Sequence, residues 1–393
     1  MNKSLYIVAF SLAFATTGIA QNNEGQDKVI DLGTQTTTEL RKTQAVSTIY
    51  SDELDKNATT SPYNAIYGLL PGLSVMQNTS WGTDKSRLNV RGRGSLNGDT
   101  PLFVVDGFAR PLEYINLSEI ESISVLKDGA ATALWGGRGA NGVVLITTKR
   151  GIYNQKDIKV DYKFGLGLPV NQPEFADAYT YAKARNEALR YDGLQPDMDE
   201  ASFLSGGNSD LYPNVDWQKE ALRNHTTSHQ LDITFRGGGK RLRYFSVLNY
   251  KNDMGLLNSK YTDYTDRYNS QMKKYFLNLR MNLDVDITDA TKLKLSMLGM
   301  LRETKRPTTS EATLFEQIFN TPSAAFPVQT LNGFWGSNNV LKTNPIANLA
   351  DVGYYKLNQR MLQADLRLVQ DLSVLTRGLS AELAIAYDNN ATD

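Results

Sequence analysis

From Asp157 onward the chain alternates apolar and polar positions in long runs. Tyr275, Leu277, Leu279, Met281, Leu283, Val285 and Ile287 share one face of an extended segment, and Asn278, Arg280, Asn282, Asp284 and Asp286 share the other. A period of two held over that length predicts a β-strand whose two faces meet different surroundings. Ile158, Val160, Tyr162, Phe164 and Leu166 oppose Lys159, Asp161 and Lys163 in the same way, and further strands are predicted at 230–236, 242–250, 292–301, 359–369 and 379–387. The links at 237–240, 288–291 and 370–377 are short, whereas those at 167–228, 252–272 and 303–357 are long and polar. An outer-membrane barrel alternates tight periplasmic turns with long external loops in this manner; a soluble sandwich has no reason to gather its long connections at one end. Such a sheet points its apolar face at lipid. An arginine on that face near the midplane costs roughly 2–4 kcal/mol, so Arg280 is expected in a wet lumen.

Ahead of these strands the texture changes. Residues 88–151 are dense in glycine and charge, with short apolar runs at Leu102–Val105, Ile120–Leu126 and 143–147 between Gly-rich turns. A short Ala-rich helix is predicted before Gly136-Gly137, and Leu73–Met76 reads as a strand. Ser61-Pro62 predicts a helix over 63–70, with serine as N-cap and proline in the first helical position. The pattern describes a small sheet-and-helix domain whose chemistry is packing, with no catalytic set.

The order of blocks in this region is specific: Arg91-Gly92, Ser95-Leu96-Asn97, Pro101, Val104-Val105-Asp106-Gly107, Val125-Leu126-Lys127-Asp128, then Gly136 through Lys149. In series and at these spacings they resemble the plug domain of TonB-dependent outer-membrane transporters of the SusC/RagA-like family. The resemblance implies a transmembrane antiparallel β-barrel, represented by its N-terminal portion only, with a small α/β plug domain. It divides the chain into a signal peptide (1–20), a flexible segment with a TonB-box-like strand (21–37), the plug (38–153) and about seven barrel strands (154–393). Transporters of this kind need roughly 22 strands around a plugged lumen, so the chain is expected to be the N-terminal portion of a longer protein or a truncated gene product.

The function implied is import of oligosaccharide, glycan or peptide too large for porins. The partner TonB, energised through ExbB and ExbD, pulls the plug, and a SusD-like surface lipoprotein acts as a lid. The alternative is a surface glycan-binding or adhesion protein on the same scaffold, without transport. Only residues 21–27 separate the leader from Lys28, which argues against the extra carboxypeptidase-like domain of many members and against signalling through it.

The N-terminus reads as an export signal, and the resemblance implies the outer membrane as the destination. Lys3, the apolar run from Leu5 to Phe14, and the small residues Gly18 and Ala20 ahead of Gln21 form a secretory signal. It is shorter than the roughly 20 apolar residues of a membrane-spanning helix, and no later run approaches that length. With no cysteine in an exported chain, stability rests on sheet and packing rather than disulfides. Lys+Arg and Asp+Glu are both 42, so no basic field draws nucleic acid. No cofactor or enzymatic activity is expected: a hydrolase would need paired carboxylates in a cleft, and no spacing singles out such a pair.

Several residues remain as candidates. Val29, Ile30, Asp31 and Leu32 form an extended island in a polar stretch that cannot order itself by burial. Two readings stand: a mobile linker, or a motif that adds a strand to a partner's sheet edge, in the position where the family carries its TonB box. Arg91, Gly92, Asp106, Gly107, Lys127, Asp128, Gly136, Arg138, Asn141 and Gly142 are the plug signature that the resemblance implies. The polar ones, with Arg93, either scaffold the plug locally, with Asp106-Gly107 making a turn, Asp128 capping the Ala-rich helix and Arg91 packing on it, or form ion pairs against a hydrated barrel wall that rearrange when the plug is pulled. The G-x-G-x-x-G at 137–142 follows a helix and precedes a strand, the reverse of a dinucleotide site. His225 and His229, four apart on a strand, would stand about 13 Å apart, too far for one metal. A helix over 173–190 is predicted with Phe175, Tyr179, Ala182 and Leu189 as its packing stripe. The aromatics of 212–217 and 333–336 suit sugar stacking and loop packing equally.

Overall fold

The computed structural model describes residues 6–13, 29–31, 36–38, 43–54, 56, 59, 61–77, 86–94, 98–170 and 172–393. Three strands come first: β1 (Tyr6–Ala13), β2 (Val29–Asp31) and β3 (Thr36–Thr38). The plug follows with β4 (Val46–Tyr50), β5 (Leu73–Met76), β6 (Arg87–Val90), β7 (Leu102–Val105), β8 (Phe108–Ala109), β9 (Ile120–Leu126) and β10 (Val143–Thr148). Five of these build a mixed sheet in the order β4-β9-β10-β7-β8, in which β10 and β7 run parallel and the other pairs antiparallel. Side chains alternate across a strand, and here both faces are covered. Ile123, Val125, Val144 and Ile146 enter one apolar cluster, and Val104, Leu126, Val143 and Leu145 enter another. That is why these strands read as continuous apolar runs.

Asp106 and Gly107 join β7 to β8 with φ of 46° and 89°, the two positive values that a tight two-residue hairpin demands. Gly142 has φ 88°, and a β-carbon there would come 2.7 Å from Val90, so β6 lies hard against the start of β10. Two predicted helices differ from expectation. Ser61 occupies the N-cap position without a side-chain cap bond, and the helix is one turn, Pro62–Ala65, before Gly68 at φ 73° turns the chain away. The helix expected from 173 begins at Ala178 and runs to Tyr191, because Asp177 accepts a capping hydrogen bond from the Thr180 N–H. Phe175 stacks on Phe319 instead, with ring centroids 5.8 Å apart.

The second sheet holds β11 (Lys156–Leu168), β12 (Thr226–Gly238), β13 (Leu242–Met254), β14 (Lys273–Asp286), β15 (Thr291–Pro307), β16 (Tyr354–Asp371) and β17 (Ser380–Thr392), antiparallel in chain order. Most extend past their predicted ends, because the backbone ladder continues where apolar alternation stops. β1, inside the span expected as a leader, lies antiparallel on the outer edge of β11, with Tyr6 opposite Leu168 and Ala13 opposite Asp161. An extended apolar segment there satisfies an edge whose N–H and C=O groups would otherwise be unpaired. Among the described residues no helix is long and apolar enough to cross a membrane.

One face of this wall is apolar and exposed, as at Leu277, Leu279 and Met281, while Asn278, Arg280, Asn282 and Asp284 on the other face are buried. The plug lies against that polar face. The wet lumen expected around Arg280 is therefore corrected: its side chain is 2% exposed, since plug atoms occupy the space. At the opposite end from the tight turns, the long connections share a core of their own. Trp217, Leu222, Leu257, Tyr261, Leu314, Ile318 and Ile346 form one apolar cluster drawn from all three. Trp217 donates its indole N–H to the Pro322 carbonyl at 3.1 Å, and Trp335 packs on Tyr264. These two tryptophans serve loop packing, whereas Phe334 stays exposed.

Candidate functional site at the plug–wall seam

The contact between plug and wall is built from inward-facing polar residues on the strands and from short irregular segments of the plug. Glu119 closes a 3-10 turn, Leu117–Glu119, in which the Asn116 N–H donates to the Glu119 carboxylate at 3.3 Å and the Glu119 N–H to the Asn116 carbonyl at 3.0 Å. Its fully buried carboxylate meets β14, accepting hydrogen bonds from Arg280 Nε and Asn278 Nδ2. Burial pushes the Glu119 carboxyl above the usual carboxylate range, against the opposing pull of Arg280. Asn116 donates from Nδ2 to Asp232 on β12 at 3.0 Å, where Asn249 and Gln230 also donate.

Arg110, just after β8, is the second anchor. Its guanidinium donates to Asp365 of β16 from Nη1 at 2.6 Å and to Asp388 of β17 from Nε at 3.1 Å, with 3% of the side chain exposed. A third group sits where the plug runs into β11. Arg150 donates to Asp284 at 3.1 Å and to Ser296 at 2.9 Å, while Tyr153 donates to Asp286 at 2.6 Å. Asn282 donates to the Thr148 hydroxyl and the Lys149 carbonyl. Apolar contact across the seam is small: Tyr114 of the plug meets Phe276, Met300 and Met361.

The plug-signature residues mostly act inside the plug. Asp106 accepts from the Thr148 N–H and hydroxyl at 3.0 and 2.6 Å, tying the hairpin to β10. Lys127 donates to Ser47 and to the Pro71 carbonyl. Asp128 caps the helix Gly129–Thr132 through Ala131 N–H and also binds Ala45 N–H. Those backbone donors, Ala45 first, hold its carboxyl below the usual range, and Arg91 adds to the pull. Arg93 joins Arg87 on buried Asp99, and Asn141 donates to the Gly98 carbonyl. Arg91 and Gly92 form an exposed positive-φ turn after β6; Gly136 bends the helical segment with φ 55°. Arg138 lines a cavity of about 510 Å³ beside Phe103 and Arg110. Asp106-Gly107 reaches the wall: Arg367 of β16 donates to the Asp106 carbonyl at 2.6 Å, over a glycine whose missing β-carbon leaves room.

Ile30 of the TonB-box-like island is 1% exposed and packs in the cluster with Val46 and Leu126. β2, Val29–Asp31, pairs with β3; Leu32 lies outside the described residues. His229 is on β12 within 2.7 Å of the Tyr162 hydroxyl, and His225 is exposed. Among the described residues no metal-binding cluster exists. Arg110, Asn116, Glu119, Arg150 and Tyr153 were not singled out by the sequence. The only signal that bears on them is indirect: so many carboxylates and amides on one face of the strands require partners.

Residues 38–143 match the family model of the TonB-dependent receptor plug domain. TonB-dependent receptor SusC of Bacteroides thetaiotaomicron is 30% identical over 68% of this chain and 26% of its own length. TonB-dependent receptor P26 of Formosa agariphila is 28% identical over 70% of this chain and likewise 26% of its own length. The chain thus spans about a quarter of the curated relatives it matches. A solved structure of the RagAB peptide importer in its open-open state shares the fold, with a TM-score of 0.72 over 93% of this chain and 42% of that one, at 19% identity. Plug match, relatives and shared fold together place this chain among the SusC-like TonB-dependent receptors, covering a plug domain and the start of a barrel.

Proposed function

We propose that this chain supplies the plug and the adjoining wall of an outer-membrane importer for oligosaccharide or peptide, opened when TonB pulls on the segment ahead of the plug. The observation that carries the reading is the seam: a folded obstruction is held to a lipid-facing sheet almost wholly by hydrogen bonds and ion pairs. Such contacts are replaced by water when two surfaces part, so the plug moves without exposing a large apolar area. The relatives named as TonB-dependent receptors and the neighbour described as a peptide importer support the same reading. In it, residues 1–20 direct export, Val29 to Leu32 pair with TonB, and a SusD-like lipoprotein covers the loop end. Because Ile30 packs in a cluster with residues of β4, β7, β9 and β10, traction there acts directly on the plug sheet.

Deleting residues 21–36 from the receptor tests this. Uptake of the natural nutrient is expected to cease while cell-surface binding persists. Undiminished uptake would overturn traction through this segment and favour the surface-binding alternative, with import carried by another protein.

A further inference from the structure

The outward face of the wall changes character abruptly at its loop end. Leu277, Leu279, Met281, Leu283 and Val285 on β14 stand beside Leu293 to Leu301 on β15 and Leu362 to Leu368 on β16, with apolar side chains or glycine at every outward position. Along β14 this band rises about 27 Å, or about 21 Å for a strand tilted by roughly 40°, close to the height of a barrel's lipid belt. One step beyond it comes Tyr275, opposite Glu303. The next outward positions are Lys273, Lys305 and Lys356, with Lys273 directly opposite Lys305 and Lys305 directly opposite Lys356. At the turn end the first outward positions past the band are Ile287, Thr291 and Gln370, which carry no charge, and the turn beyond them holds a single acid, Asp289, and no row of lysines.

Like charges placed directly opposite one another destabilise a sheet. Lys356 is relieved by Glu303 at 2.8 Å. Among the described residues no carboxylate pairs with Lys273 or Lys305, and the Lys305 ammonium instead lies 4.4 Å from the centre of the Tyr354 ring. The row spans about 10 Å across three strands, on the face turned away from the plug.

We propose that this row binds the phosphate-bearing headgroup of an outer-leaflet glycolipid, whose acyl chains lie on the apolar band below. On β14 and β15 the row follows the band after Tyr275 and Glu303, and on β16 Asn358 and Arg360, the latter paired with Asp393 at 3.1 Å, stand between Leu362 and Lys356; one amphipathic molecule lying along this face meets both row and band. Cargo inside the lumen reaches neither. The long loops fix this end as the external one, which makes the ligand an outer-leaflet lipid. The inference rests on the barrel reading.

The test uses the receptor extracted in dodecyl maltoside, stripped of lipid and titrated with diphosphoryl lipid A, its dephosphorylated form and inorganic phosphate, with retention read by native mass spectrometry. Diphosphoryl lipid A should be retained and the other two not. The combined Lys273→Gln, Lys305→Gln and Lys356→Gln variant should weaken retention roughly a hundredfold, each lysine near such a surface being worth about fivefold. The corresponding triple arginine variant should bind normally, as should Lys240→Gln at the opposite turn. Undiminished retention by the glutamine variant overturns the proposal, as does displacement by millimolar phosphate or occupation of the row by a second copy of the chain. A protein that enters no micelle overturns the barrel reading and the site with it, an outcome distinct from a micelle-bound receptor that ignores the lipid.

Discussion

The plug sheet has two kinds of neighbour. Its own helices and loops cover it with Leu54, Ile66, Leu70, Leu112 and their like, all nearly inaccessible. The wall meets it through Glu119–Arg280, Arg110–Asp365, Arg150–Asp284 and a set of amides. The first interface has no substitute for protein contact, because water is a poor partner for buried aliphatic surface. The second exchanges partners with water readily, and Arg280 Nη2 and the Asn278 Oδ1 gain partners when they do, having none in the protein. A domain that must stay folded and yet come away from its surroundings needs this division.

The largest expected effect breaks the seam from one side. Glu119→Ala leaves Arg280 buried and unpaired, and should lower stability by about 3–5 kcal/mol, whereas Glu119→Gln with Arg280→Met should restore most of it. Amide exchange of β9 and β10 in the micellar receptor measures both; an equal loss in the double variant would show that the seam behaves as core. Ile123→Ala, inside the plug, should cost about 2–5 kcal/mol by the same readout, with no polar second change able to recover it. Gly107→Ala forces a side chain into φ 89° and toward Arg367, and should cost about 1–2 kcal/mol, seen as faster exchange confined to β7, β8 and their contact with β16. The smallest is Asp128→Ala, about 1 kcal/mol for a lost cap. Its carboxyl titrates below the ordinary range in the folded plug. The stabilisation is therefore present above about pH 4 and is lost as pH falls through the lowered native value. Variant and parent should converge in acid; a gap that persists there would remove the charge from the explanation.

Much of this was legible in the chain, for physical reasons that also mark the limits. Strands such as β14 announce themselves because lipid and plug impose opposite demands on alternate residues. Asp106-Gly107 and Asp128 were readable as turn and cap because those roles are local. Glu119, Asn116 and Arg110 were not, since they lie in short segments without periodicity and their partners are 116 to 278 residues away in sequence. Arg280 was placed on the correct face but in the wrong medium: alternation tells which way a side chain points and nothing about what waits there. Ile30 illustrates the same gap, an extended residue in a polar stretch whose burial depends on a cluster formed by β4, β7, β9 and β10.

Arg110 holds carboxylates from two neighbouring strands, which are otherwise joined by their ladder, the turn between them and the exposed Arg367–Glu382 pair. In the observed register Gln363 faces Asp388 and Asp365 faces Ala386, so both acids point at the same guanidinium. Sliding β17 by one residue would turn Asp388 toward lipid and strip the arginine of half its company. Full engagement of Arg110 therefore requires β16 and β17 in this register, so the anchor of the plug and the pairing of the two strands depend on each other.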